Sequence, residues 1–350
     1  MTPERLEPRN LLKQVSRSFY LTLRVLPHSV RRPISLAYLL ARAADTIADT
    51  GLIEVPRRQE ALLQLRESIG EASENGREKQ VLPPAMGDLA GAQESIVGEG
   101  TPAERILLEH LRELLVSLQS LARDDRMRIR KLLDTITRGQ ETDLLRFRTR
   151  DQICALETEE ELEEYAYRVA GCVGEFWTEM CRAHVFPAAG LNDESLLADG
   201  VRFGKGLQLV NILRDFPKDL RRGRCYIPQN QLSKYGLIPR DLLDPAAMDR
   251  FRPLYDCYLQ KAEEYLAAGR RYTLALPFRC VRVRLACAWP LLIGSKTLGQ
   301  LWLANVLDDG NRVKVGRSEI RRLVLRSAIL YPNCRAWNRL INSAGNKESA

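Results

Sequence analysis

Four aspartates in two Asp-x-x-x-Asp pairs are the residues best placed to do chemistry. Asp45 and Asp49 close the segment ISLAYLLARAADTIAD (34–49), and Asp215 and Asp219 lie in GKGLQLVNILRDFPKD (204–219). A spacing of four sets two carboxylates on one helix face, where like charges repel, and more so when partly buried. A divalent cation removes that penalty, because Mg2+ accepts one or two carboxylates and fills its shell with water and phosphate oxygens. Arg42 and Arg214 stand beside the pairs, and LRRGRCYIP (220–228) follows the second with three more arginines. Carboxylates for a metal and guanidiniums for phosphate oxygens together make a donor set for a metal-bound diphosphate.

Both pairs ride on helices whose polar residues form a thin line. In the first, Ser35, Tyr38, Arg42, Asp45 and Asp49 step by three, four, three and four, while Ile, Leu and Ala fill the remaining surface. A surface helix has a broad polar face. This one asks for burial around most of its circumference, with the stripe turned to a cavity or to a sliver of solvent, Arg42 then pairing with Asp45. In the second, Lys205, Gln208, Asn211, Asp215 and Asp219 step by three, three, four and four. Two such stripes are read as facing a shared cavity. Pro217 has no N–H and predicts a kink or an end near Phe216, which weakens the case for Asp219 as a ligand. The segment 164–180 reads as a helix with Tyr165, Val169 and Cys172 on one face. Its interior Gly171 and Gly174 call either for close helix packing or for room beside a bulky ligand.

The elements that must position these residues are helical nearly throughout. Interruptions at 71–104, 186–198, 223–247 and 307–317 read as loops, and residues 1–350 read as one all-α domain with frayed ends at about 1–10 and 342–350. The chain has 350 residues, 45% hydrophobic and 28% charged, with a formal net charge of +8. That excludes disorder as the main state and suggests an anionic partner. Eight scattered cysteines without a CxxC, and three histidines at no ligand spacing, exclude a zinc site and suit a reducing, cytoplasmic compartment. Neither GxGxxG nor a P-loop is present. No apolar run of ~18 residues and no apolar leader appear, so no transmembrane segment is expected. Aromatics make up only 7%, which argues against a basic helical nucleic-acid-binding protein.

In these motifs the chain resembles the squalene/phytoene synthase family, the head-to-head prenyl transferases, from about residue 10 to 300. SRSFY (16–20), YLLARAADTIAD (38–49), YAYRVAGCVG (165–174) and LQLVNILRDFPKDLRRGRCYIP (207–228) occur in the family's order. The resemblance implies an all-α isoprenoid-synthase bundle around a deep central cavity. It implies that Asp45, Asp49, Asp215 and Asp219 bind Mg2+ and through it diphosphate. It implies that Ser16, Ser18, Phe19, Tyr38, Arg42, Gln208, Asn211, Arg214 and Tyr226 line the cavity or grip diphosphate, and that Tyr165 assists proton loss. Ala166 stands where the family commonly has cysteine, and Phe216-Pro217-Lys218 departs from the Val-Gly-Glu of phytoene-type members. Cys287-Ala288-Trp289-Pro290 is similar to a Cys-Ala-x-Pro run of squalene synthases, and adds Cys287 and Pro290 to the substrate positions. A bacterial squalene synthase of hopanoid or sterol biosynthesis is therefore expected, joining two farnesyl diphosphates and reducing the product with NADPH, with dehydrosqualene or phytoene synthase as the alternative. NADPH would bind near Asn211, Arg214 and Arg224. The basic run Arg312, Lys314, Arg317, Arg321 and Arg322 would hold its phosphates or face an anionic membrane on the inner surface. No oligomeric state is fixed by the sequence, and a monomer is compatible with it.

Overall fold

Polar residues spaced three and four apart leave a helix with one side it can show to water, and the helices here follow that rule. The computed structural model describes residues 19–49, 54–74, 102–147, 152–308, 310 and 312–343, with Leu12 and Val15, but not the Phe19 side chain. The chain divides into two compact units, Met1–Arg148 with Glu179–Val185, and Thr149–Thr178 with Phe186–Ala350.

In the first unit, α1 (Phe19–Val25) leads into α2 (His28–Asp49), followed by α3 (Val55–Glu74), α4 (Pro102–Glu109), α5 (Leu111–Gln119) and α6 (Arg123–Arg146). Helix α2 packs on α3, α5 and α6. It buries Ile34, Leu36, Ala37, Leu39, Leu40, Ala43, Ala44 and Ile47, on nearly every side. Ser35, Tyr38, Arg42 and Asp45 stay half-buried and Asp49 exposed, so the five-residue stripe is the side left uncovered. Helices α3 and α6 are tied by Arg66 to Glu141 at 2.7 Å and by Arg126 Nε to the Ser73 carbonyl at 2.9 Å. The segment read as a loop over 71–104 is helical at both ends: α3 runs on to Glu74 and α4 begins at Pro102. Residues 75–101 lie outside the described part.

The second unit begins with the two-residue strand β1 (Cys154–Ala155) and α7 (Glu159–Ala166). A π-helical turn, Tyr167–Gly171, then leads into α8 (Cys172–His184), which runs on into the first unit, and α9 (Asp193–Arg221) follows. Next come β2 (Arg224–Cys225), α10 (Gln229–Ser233), two 3-10 turns (Pro239–Leu243 and Pro245–Ala247), α11 (Met248–Ala275), α12 (Val281–Leu303), α13 (Arg317–Leu330) and α14 (Cys334–Ser343). Helix α9 is the hub, packed on α11, α12 and the π turn. Asn192 caps it, its side chain accepting from Ser195 N at 2.9 Å. Gly223, at φ 78°, ends it. That left-handed residue turns the chain into β2, which pairs in parallel with β1 through Cys154 with Arg224 and Ala155 with Cys225.

Packing accounts for both glycines in 164–180: a Cβ at Gly171 would stand 3.0 Å from the Tyr167 ring and 3.3 Å from the Lys205 and Val201 side chains, and Gly174 lies with Gly204 where helix backbones nearly touch. A Cβ at Gly174 would stand 2.0 Å from the Gly200 carbonyl oxygen, and one at Gly204 would stand 2.1 Å from that of Ala170. Backbone meets backbone there, and no side chain fits between. The single helix expected over 164–180 is interrupted by the π turn, so Tyr165 and Cys172 do not share the α-helical register assumed for them. Helix α9 begins inside the loop expected at 186–198, and 223–247 holds β2, α10 and both 3-10 turns. Helix α14 runs to Ser343, past the expected start of fraying at 342. All eight cysteines are free thiols; five are buried, and Cys257 and Cys334 are exposed.

Candidate active site

The first aspartate pair sits at the C-terminal end of α2, and the structure supplies partners the sequence did not name. Gln140 Nε2, from α6, donates to Asp45 Oδ1 at 2.5 Å. Arg42 hydrogen-bonds the Glu104 carboxylate of α4, whereas its distance to Asp45, three residues on, is 3.9 Å. The expected Arg42–Asp45 pair is thus at the outer limit of an ion pair, and Glu104 takes the guanidinium. The Arg42 Nε and the Gln140 Oε1 are both buried without a hydrogen-bond partner among the described residues. Tyr38 Oη donates to the Val15 carbonyl at 3.4 Å.

The Asp45 carboxyl is pushed up to about 6 from its ordinary 3.8. Removal from water is the largest cause. Arg42 opposes it, the Asp49 charge adds to it, the Gln140 hydrogen bond opposes, and the Glu104 charge adds a little more. The side chain keeps 47% of its surface open, so water screens part of the penalty and the upward direction is what matters. A carboxylate held against this much negative charge gains from a cation.

The second pair rides on α9, and here the expectation that the helix could end near Phe216 is corrected. The helix is continuous to Arg221. Pro217 withholds the N–H that would meet the Leu213 carbonyl four residues back. The buried Tyr255 of α11 replaces it, its Oη donating to that carbonyl at 3.1 Å. Asp215 and Asp219 therefore keep helical i, i+4 spacing, about 6 Å along the axis. Tyr255→Phe should orphan the buried carbonyl and cost about 1–3 kcal/mol in urea unfolding; an unchanged midpoint would show that the tyrosine is not what tolerates the proline.

Arg214 clasps its neighbour Asp215 with Nε and Nη2, at 2.9 and 2.6 Å. Asp219 is pushed up to about 6: burial is the largest cause and Asp215 adds to it, against the charges of Arg224, Lys218 and Arg222. Lys205, the first residue of the stripe, is engaged by Glu163 of α7 at 2.8 Å. Gln208 and Asn211 are half-buried, and their amides have no protein hydrogen-bond partner among the described residues. Tyr165 stacks on the buried Tyr226, ring centroids 4.5 Å apart and planes at 25°, so β2 and α7 bring those two expected site residues together.

Cys287 is buried in α12 and its thiol is pushed up to about 12, chiefly by burial. Pro290 is half-buried in the same helix. Ser16, Ser18 and the Phe19 side chain lie outside the described residues. Sequence reading missed Glu104, Gln140 and Tyr255. For Gln140 a signal existed: with Leu133, Ile136, Thr137 and Leu144 it holds the buried face of α6, the one amide on an apolar stripe.

Among the described residues no three His, Cys, Asp or Glu side chains are grouped to hold a metal. Two carboxylates at a time is the number Mg2+ takes from protein when phosphate oxygens and water complete its shell. The donors therefore fit a metal–diphosphate pair and not a metal caged by protein alone. For a nucleotide phosphate, Arg214 keeps three of its five N–H donors after Asp215 has taken two. Among the described residues no helix is long and apolar enough to cross a membrane.

The squalene/phytoene synthase family model matches residues 12–319, ending in the first turn of α13. A bifunctional lycopene cyclase/phytoene synthase of Arthroderma gypseum is 27% identical over 268 residues, 76% of this chain but only 42% of that protein. A 15-cis-phytoene synthase of Synechocystis sp. is 27% identical over 276 residues, 77% of this chain and 68% of that one. Among solved structures, a TcSQS complex superposes with a TM-score of 0.75 at 20% identity, covering 96% of this chain and 89% of that one. A dehydrosqualene synthase superposes with a TM-score of 0.63 at 21% identity, covering 93% and 95%. At such identities the structural likeness shows a common all-α fold.

Proposed function

The chain belongs to the squalene/phytoene synthase family, and from that premise we propose that it condenses two farnesyl diphosphates head to head with Mg2+ and reduces the product to squalene with NADPH. The observation that carries the reading is the pair of Asp-x-x-x-Asp helices, each with one carboxyl pushed up to about 6 and an arginine beside it. Bound Mg2+ would supply the positive charge that lets diphosphate depart. Asp45 with Asp49, and Asp215 with Asp219, would each hold Mg2+ as a pair, and Arg42 and Arg214 would steady the phosphate oxygens. Apolar helix faces would keep water from the allylic cation left behind. Tyr165, its ring stacked on Tyr226, would take part in passing on the proton lost when the cyclopropane of presqualene diphosphate closes. Asn211, Arg214 and Arg224 would receive the phosphates of NADPH, which would supply the hydride for the reductive step.

A second reading has its own support. The relatives named above are phytoene synthases, which favours a C20 substrate and no hydride step. Against it stand Cys287-Ala288-Trp289-Pro290 and Phe216-Pro217-Lys218, similar to and departing from the respective family types. Incubation of the purified chain with Mg2+ and C15 or C20 diphosphate, with and without NADPH, separates the two. Squalene from C15 only with NADPH is the expected product; dehydrosqualene in both tubes removes the reductive step, and phytoene from C20 alone removes the farnesyl assignment.

A further inference from the structure

Residues 312–343 carry eight Lys and Arg and one carboxylate, Glu319, a net +7 of the chain's +8. The proposed chemistry uses none of it. Helix α13 shows how the charge is displayed. Its inner face is fixed to α12 by Trp289 Nε1 donating to Ser327 Oγ at 3.0 Å and by Lys296 near Glu319 at 3.5 Å. The outer half is exposed, with Leu325 61% and Ile329 65% accessible. At ~100° per residue these two lie along the middle of that half, Arg321 and Arg322 lie to either side, and Arg317 and Arg326 mark its edges. All four arginines are exposed, and none has a carboxylate partner among the described residues.

An aliphatic ridge between two rows of unpaired arginines is a poor solvent face. It matches the layers of an anionic lipid surface, with acyl chains for Leu325 and Ile329 and headgroup phosphates for guanidiniums that snorkel outward. We propose that the outer face of α13 docks the protein on anionic membrane, with the helix lying in the interface plane. Charge complementarity alone would also suit nucleic acid. The ridge decides against it, because a nucleic-acid face offers nothing to two exposed aliphatic side chains and this face presents no aromatic for base stacking.

The test needs no substrate, so it stands or falls apart from the catalytic reading. The full chain is sedimented with vesicles of phosphatidylcholine alone or containing roughly one-third phosphatidylglycerol, at low and high salt. Binding about tenfold tighter to the anionic vesicles, and weaker in salt, is expected. The double substitution Leu325→Gln with Ile329→Gln should lose about tenfold in affinity while keeping the wild-type melting transition, since both side chains are exposed. Arg321→Gln with Arg322→Gln should lose affinity for anionic vesicles and blunt the salt effect. Vesicle binding that survives the aliphatic substitutions overturns the proposal. So does absent vesicle binding beside tight, salt-dependent binding of a generic oligonucleotide, and so does a dimer that those substitutions dissociate, which would give the face to a second copy.

Discussion

Asp45→Asn should lower turnover by about two to three orders of magnitude and leave the metal-free fold as stable as before or more so. Both halves follow from the same electrostatics. Asn keeps an oxygen to accept the Gln140 hydrogen bond, so the local geometry survives, but it offers Mg2+ no charge. The stability sign runs the other way from that of a paired carboxylate. The folded Asp45 carboxyl sits at about 6, above its ordinary 3.8, so its ionised form is disfavoured in the folded chain. At neutral pH that is a standing cost, relieved as pH falls through about 6 towards 3.8. Asn removes the cost outright. The variant should melt no lower than wild type without metal at neutral pH, and should lose part of the wild-type gain in stability on mild acidification. Turnover near the wild-type value would end the metal-binding role of Asp45. Turnover lost together with the melting transition would trace the defect to folding instead.

The same residue shows what sequence can and cannot disclose. The α2 stripe was legible because burial and polarity share the 3.6-residue period: Ser35, Tyr38, Arg42, Asp45 and Asp49 are the positions a helix apolar on every other side leaves uncovered. The partners of that stripe come from elsewhere in the chain. Glu104 reaches Arg42 across 62 residues and Gln140 reaches Asp45 across 95, and periodicity within one helix carries no information about such pairings. Glu104 was further obscured by a Gly- and Pro-containing stretch that made the first turn of its short helix read as loop. The π turn at 167–171 has no composition of its own; it is a change in hydrogen-bond register that the close approach of Ala170 and Gly204 accompanies. Pro217 is the clearest case. Local chemistry rightly says that proline removes a donor, yet the outcome was decided by a tyrosine hydroxyl 42 residues on.

That rescue bears directly on the second large effect. With α9 continuous through Pro217, Asp219 stands one helical turn beyond Asp215, and Asp219→Asn should cut turnover at limiting Mg2+ about a hundredfold, with partial recovery at high Mg2+. Recovery is expected because Asp215 and the diphosphate oxygens remain as donors, so the loss is mainly one of metal affinity. Acid should mimic the substitution. Burial and the Asp215 charge hold the Asp219 carboxyl at about 6, so protons compete with Mg2+ as pH falls through 6, and the Mg2+ needed for half-maximal turnover should rise. In Asp219→Asn that rise should flatten, since one of the competing protons has no site. A helix broken at Phe216 would instead have left Asp219 in a loop, free to swing away from its partner and back to an ordinary carboxyl. An Asp219→Asn enzyme with wild-type Mg2+ dependence and an unaltered pH profile would return Asp219 to that status, leaving Asp215 and its Arg214 clasp as the whole contribution of α9.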